Sequence, residues 1–146
     1  MKSKKFILIG LFTIAFACFS FISYVDDSYY PRTSDAPTTA SFDQMKACID
    51  ACNNCAALCN NCSSMSLKEK DSGAMARCIQ LNMECASICK ATSQLMSLGS
   101  EQSKDISKIC ADICKKCGDE CSKHNMDHCK KCAEACYTAA ELCKKM

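Results

Sequence analysis

Cysteine is the residue whose number and spacing stand out in this chain. Sixteen of its 17 cysteines lie after residue 47, and most neighbours are three or four positions apart. Residues with this spacing share one face of an α-helix, where a bundle normally carries Leu and Ile. Thiolates bind soft metal ions, so the pattern predicts a metal-binding core. The predicted ligands are Cys48, Cys52, Cys55, Cys59, Cys62, Cys78, Cys85, Cys89, Cys110, Cys114, Cys117, Cys121, Cys129, Cys132, Cys136 and Cys143.

Four helices are predicted to position these cysteines. A capping box at Ser41 and Gln44 begins the first helix, which runs to about residue 64. The second spans roughly 68–98, the third starts near residue 100 after a turn at Gly99, and the fourth follows a break at 124–125. Long helices with short connections pack antiparallel. We therefore expect an all-α fold, an antiparallel up-down four-helix bundle with a Cys-lined core, over residues 42–146.

Antiparallel packing also predicts which cysteines lie level with one another. One end should bring together Cys62, Cys78, Cys121 and Cys129, and the other Cys48, Cys89, Cys110 and Cys143. Helix axes 8 to 10 Å apart allow thiols of facing helices to share an ion. The stripes have gaps at Asn82, Thr92, Ala139 and Ala140, and the layers there are expected to hold fewer ions.

The N-terminal segment resembles an export signal. Three lysines precede an apolar run that ends in a small-residue pattern at Ala15 and Ala17. We expect a signal peptide over residues 1–17, a flexible linker over 18–41, and export to the periplasm or cell envelope. Two alternatives tether the protein to the membrane: a lipid on Cys18, or an uncleaved anchor that extends to residue 25.

Charge and composition exclude several classes of function. Residues 42–146 hold 14 Lys and Arg against 13 Asp and Glu, and no basic stripe is interleaved with aromatics, so nucleic-acid binding is not expected. No cysteine stands apart from the stripe beside a general base, so no enzyme activity is expected. Large apolar residues are sparse after residue 41, and bound metal should therefore contribute to stability.

The charge of the ion decides between metals. Four thiolates around one zinc ion leave a net charge of about −2, which is costly to bury repeatedly. Cu(I) accepts two or three thiolates, and one thiolate per ion leaves a neutral core. The thioethers of Met45, Met96 and Met146 near one end, and of Met65, Met75 and Met126 near the other, suit the same ion. A Zn or Cd metallothionein-like buffer is one alternative reading.

A second alternative is a disulfide-stapled helical module that binds a partner protein. Many cysteines in an exported chain favour disulfides. However, side chains three or four positions apart on a helix lie parallel and staggered, which suits disulfide geometry poorly.

Two stretches resemble the bacterial cysteine-rich four-helix bundle copper storage proteins, of the exported type. The first runs from Cys117 through His124 and His128 to Cys136, and the second is the Cys ladder from Cys48 to Cys62. The resemblance covers about residues 42–146. It implies a bundle whose thiolates hold many Cu(I) ions, with Met and His near an open end. It also implies that Met45, His124 and His128 are ligands. The predicted topology places Met45 at one end of the bundle and the two histidines at the other.

The predicted function is therefore storage or sequestration of multiple Cu(I) ions. Its predicted partners are copper ions, together with copper-dependent enzymes or copper chaperones. Small bundles also associate through their polar faces, which makes a homo-oligomer a further expectation.

Overall fold

The computed structural model describes residues 39–146, with side chains from residue 41 onward. It contains four α-helices: α1 (Thr39–Ser66), α2 (Ala76–Ser97), α3 (Ser103–Cys121) and α4 (Asp127–Lys144). Each helix packs against two neighbours, so that α1 and α3 both contact α2 and α4. The start of α1 meets the end of α4 at Cys48 and Cys143, and the end of α1 meets the start of α4 at Cys62 and Cys129. The predicted antiparallel four-helix bundle is confirmed.

The predicted beginnings of the first two helices were wrong in detail. Helix α1 begins at Thr39, so Ser41 lies inside its first turn and not at the predicted N-cap position. Residues 67–75 form consecutive turns, although residues from 68 onward were predicted to be helical. The backbone N–H of Ala74 donates both to the carbonyl and to the Oδ1 atom of Asp71. Asp, Ser and Gly side by side favour such local bonds over a helix, which explains the difference.

The connection between α2 and α3 depends on Gly99, as predicted. Gly99 has φ of 65°, a left-handed conformation that glycine adopts without steric cost. Its N–H donates to the carbonyl of Met96, and the N–H of Ser100 donates to that of Leu95, each at 3.0 Å. These bonds end α2 and redirect the chain into α3. The predicted break at His124 and Asn125 is also present, and α4 begins at Asp127.

The core of the bundle consists mainly of thiols and small side chains. All 16 cysteines after residue 47 are at most 1% exposed, and seven alanines are also buried. Few larger side chains join them, chiefly Met75, Met96 and Leu81. Several large apolar residues, including Met83 and Ile109, are instead exposed. Thiols and alanines therefore make up most of the fully buried side chains.

Within residues 39–146 no helix combines the length and apolar character needed to cross a bilayer. The predicted signal peptide, anchor and Cys18 lipid site lie outside the described residues, as does most of the predicted linker.

Candidate metal centre

The sulfur atoms form a column along the bundle axis. At its centre, Cys55 Sγ lies 3.7 Å from Cys85 Sγ and 3.6 Å from Cys136 Sγ. Cys85 and Cys136 belong to α2 and α4, which are diagonal to each other, yet their sulfurs are 3.9 Å apart. Cys59 and Cys117 join the other diagonal, α1 to α3, at 3.9 Å. Thiols from all four helices reach the axis. An ion bound there can therefore take its ligands from any of the four helices.

Groups of three or four sulfurs lie close enough to hold a common ion. In each group all ligand atoms are within 4.8 Å of one another. Neighbouring groups share members, so a thiolate of one group can bridge to an ion in the next. Five of these groups are Cys55, Cys59, Cys85 and Cys136; Cys55, Cys85, Cys89 and Cys114; Cys59, Cys117, Cys132 and Cys136; Cys48, Cys52 and Cys143; and Cys52, Cys89 and Cys110.

The end of the bundle that carries Met45 departs slightly from the predicted layer. Cys48 and Cys143 are 3.2 Å apart, and Cys89 and Cys110 are 3.7 Å apart, as two separate pairs. Cys52 lies between them, 3.5 Å from Cys143 and 3.9 Å from Cys110. The stagger of the helices therefore inserts Cys52 into the predicted layer. Met45, Met96 and Met146 pack against the core near this end.

The opposite end has the predicted composition. Cys78 and Cys121 are 3.6 Å apart, and Cys62 and Cys129 are 3.7 Å apart. The Nδ1 atom of His128 lies 3.4 Å from the sulfurs of both Cys62 and Cys129. This end therefore combines thiols with an imidazole. We call it the His end, defined by Cys62, Cys78, Cys121, Cys129 and His128.

The two predicted histidine ligands have different surroundings. On its outer side, the Nε2 atom of His128 lies 3.3 Å from Oε1 of Glu69. Burial alone lowers the pKa of His128, but its hydrogen bonds with Cys62 and Glu69 outweigh this effect and raise the pKa overall. The Nε2 atom of His124 is buried and has no hydrogen-bond partner, with Glu120 Oε1 3.9 Å away. His128 is thus hydrogen-bonded to the thiols of Cys62 and Cys129, whereas His124 has no such bond to a thiol.

Asn82 interrupts the sulfur column near the His end. It is fully buried, and its Oδ1 atom accepts hydrogen bonds from the thiols of Cys117, Cys132 and Cys121 at 3.0, 3.1 and 3.3 Å. Its Nδ2 atom donates to Cys78 Sγ at 3.4 Å. The amide therefore contacts four thiols on three helices at the point where the stripe of α2 lacks a cysteine.

Hydrogen bonds between thiols change their acidity. Bonds donated by Cys143 and Cys52 lower the pKa of Cys48 to about 4. Hydrogen bonds also lower the pKa of Cys55, Cys62, Cys110 and Cys117, whereas the pKa of most other core thiols is raised. For Cys136, hydrogen bonds with thiols on α3, α4 and α1, together with burial, raise the pKa. The metal-free core is therefore largely protonated at neutral pH, because a chain of buried thiolates without metal ions has no countercharge.

The core cysteines are free thiols. The shortest bonded sulfur pair, Cys48 and Cys143, is 3.2 Å apart, well beyond the roughly 2.05 Å of a disulfide. This arrangement favours the metal-binding interpretation over the disulfide-stapled module.

Sequence reasoning missed two residues of this centre. The pattern identified Asn82 only as a gap, because a helical stripe shows where a thiol is absent and not what the replacing side chain contacts. Glu69 was missed altogether. It lies in the connection between α1 and α2, 59 positions from His128, and no local pattern relates the two.

Comparisons with known proteins agree with this geometry. The sequence profile described as "Copper storage protein" matches residues 41–146. A Bacillus subtilis relative named "Uncharacterized cysteine-rich protein YhjQ" is 46% identical over 101 residues, covering 69% of this chain and 94% of the relative. The structure of Cu(I)-bound copper storage protein BsCsp3 is 45% identical with a TM-score of 0.68, and the match covers 70% of this chain and 97% of that one.

A third relative corrects the prediction of export. A copper storage protein from Streptomyces lividans, solved with five coppers, is 33% identical with a TM-score of 0.69, and the match covers 70% of this chain and 91% of that one. That protein is described as cytosolic. The relatives therefore point to the cytoplasm, and the predicted periplasmic or envelope location was wrong. A lysine-led apolar segment is a general feature of membrane-directed chains and does not by itself fix where the folded domain acts.

Proposed function

Because the chain belongs to the copper storage protein family, we propose that it stores copper by holding many Cu(I) ions between the 16 thiolates of its core. The observation that carries this proposal is the overlap of the sulfur groups. Cys55 and Cys85 belong to two groups of four at once, and Cys52 belongs to two groups of three. Shared thiolates let each ion have two or three sulfur ligands while the number of ions approaches the number of thiols.

Charge balance supports Cu(I) as the stored ion. With one thiolate per monovalent ion the column is neutral, as a core without buried Lys or Arg requires. Divalent ions on the same thiolates would need about four sulfurs each and would bury repeated negative charge. The column therefore suits a large number of Cu(I) ions better than a few zinc ions.

The ends of the column are proposed to extend the thiol sites. Met45 packs against the core at one end, where its thioether would add a soft ligand beside Cys48. At the other end His128 contacts two thiols and would act as a ligand through Nδ1. We propose that His124 is also a copper ligand, but that its side chain must first turn towards the thiols.

In this function the protein acts on copper without catalysing a reaction. The recipients of the stored ions would be copper-dependent enzymes or copper chaperones. A buried column also keeps free Cu(I) low, so storage and protection against excess copper follow from the same geometry.

An anaerobic titration of the reduced full-length chain with Cu(I), in competition with a high-affinity chelator, tests this function. We expect saturation above roughly ten ions. Saturation at four or fewer would refute the storage core. Thiols counted under denaturing conditions in the protein as isolated separate the alternatives, because a disulfide-stapled module would show few free thiols. Competition with Zn(II) addresses the metallothionein-like alternative, which requires zinc to displace most of the copper.

A further inference from the structure

The His end differs from the rest of the core in its ligand chemistry and in its connections. Both histidines of the chain lie at this end. Asn82 lies between the thiols of this end and those of the main column, and it contacts Cys78 and Cys121 on one side and Cys117 and Cys132 on the other. The His end therefore borders the main column at a position where an amide replaces a thiol.

The distances at this end match a tetrahedral metal site. Cys62 Sγ and Cys129 Sγ are 3.7 Å apart, and each is 3.4 Å from Nδ1 of His128. Zinc bonds of about 2.3 Å to sulfur and about 2.0–2.1 Å to nitrogen place two sulfurs about 3.8 Å apart and sulfur and nitrogen about 3.5–3.6 Å apart. Small adjustments would therefore admit a zinc ion between these three atoms.

Glu69 prepares His128 to bind a metal. A carboxylate only accepts hydrogen bonds, so in the neutral imidazole the proton lies on Nε2, which is 3.3 Å from Glu69. The lone pair of Nδ1 then faces the two sulfurs. Carboxylate, imidazole and metal in this order form the usual outer support of a zinc-bound histidine.

Charge admits a divalent ion here when copper is absent. Two thiolates and one neutral imidazole balance Zn²⁺. We propose that Cys62, Cys129 and His128 form a zinc site in the copper-free protein, with solvent in the fourth position. The two thiols release their protons to solvent when the ion binds. The site goes beyond copper storage and does not depend on it.

Zinc and cobalt titrations of the reduced, metal-free full-length chain test this site. One equivalent of Co²⁺ should give visible bands of tetrahedral intensity together with thiolate charge-transfer absorption. Zn²⁺ should bleach these bands. Zinc affinity, measured against a chromophoric chelator, should fall roughly 10- to 100-fold in Glu69→Gln, the size of effect seen for lost outer-shell partners, and further in His128→Ala.

Glu101→Gln, at an exposed carboxylate in the connection between α2 and α3, is the matched control for Glu69→Gln and should retain the cobalt spectrum and zinc affinity of the parent chain. Circular dichroism of each variant checks that the bundle is intact, and Glu69→Gln alters only a surface connection. The absence of a tetrahedral cobalt spectrum, an unchanged zinc affinity in His128→Ala, or an equal loss of zinc affinity in Glu101→Gln and Glu69→Gln would overturn the proposal. Cu(I) capacity is measured separately, so failure of the zinc site and failure of copper storage are distinguishable.

Discussion

The Oδ1 atom of Asn82 lies 3.0 Å from the Sγ atom of Cys117, inside a column that otherwise consists of sulfur. An amide oxygen is a hard ligand and Cu(I) prefers soft ones, so this position interrupts the series of copper sites. In the metal-free protein the same oxygen accepts bonds from two further thiols. Asn82 thus orders thiols from α3 and α4 at the border between the His end and the main column.

Replacing Asn82 by cysteine should make the column continuous. In Asn82→Cys we expect the saturating amount of Cu(I) to rise by about one ion, because a soft ligand replaces the amide between existing thiols. Asn54→Cys is the matched control, since Asn54 is exposed on α1 and a thiol there does not reach the column. Anaerobic titration of both variants measures the change. An equal rise in the two would show that added thiols bind copper regardless of position.

Thr92 carries a buried hydroxyl without a hydrogen-bond partner. The residue is 0% exposed, and no group pairs with its Oγ1 atom. Because an unpaired buried hydroxyl costs about 1–3 kcal/mol, Thr92→Val should raise the free energy of unfolding of the copper-free protein by that amount. Urea denaturation measures the change.

The control for this substitution is Thr138→Val. Thr138 is exposed, and its hydroxyl donates to the carbonyl of Glu134 at 2.9 Å. Its replacement should change stability by less than about 0.5 kcal/mol. If Thr92→Val is neutral or destabilising, the hydroxyl of Thr92 has a partner such as a buried water.

Copper loading should release protons. Thiols with raised pKa, such as Cys85, Cys89 and Cys136, are protonated at neutral pH and must lose the proton to bind Cu(I). Where one proton leaves per ion, the apparent dissociation constant should increase about tenfold for each unit by which the pH is lowered. Titration in weak buffer with a pH indicator counts the protons. An affinity independent of pH would mean that the thiolates already exist in the metal-free core.

Gly118 allows α3 and α4 to approach at Tyr137. A Cβ atom at position 118 would lie 2.9 Å from Cε1 of Tyr137, whose hydroxyl donates to Asp119 at 3.1 Å. Gly118→Ala should therefore lower the free energy of unfolding, because the ring must move. In a Tyr137→Ala background the same change should instead raise it by up to about 1 kcal/mol, the helix-propensity gain. Thermal or urea denaturation of the four proteins gives the coupling, and an effect of the same sign in both backgrounds contradicts the clash.

Much of the fold followed from the sequence because the relevant signal is local. A thiol every three or four positions defines a helical face, and four such faces with short connections specify an antiparallel bundle. That Cys62, Cys78, Cys121 and Cys129 meet at one end was predictable for the same reason, and the structure adds that they pair as Cys62 with Cys129 and Cys78 with Cys121. The location was not, since the N-terminal segment supported export and the relatives point to the cytoplasm.

By itself, the sequence determined that sixteen thiols line one bundle and that Met45 and the two histidines lie at opposite ends, since residue spacing sets both. The tertiary structure alone decided how these groups meet. The stagger of the helices inserts Cys52 between the pairs at the Met45 end, and the fold brings Glu69 to His128 from a connection that sequence reasoning assigned to a helix. Such contacts depend on the axial positions of packed helices and on the path of a turn, which periodicity along one chain does not encode.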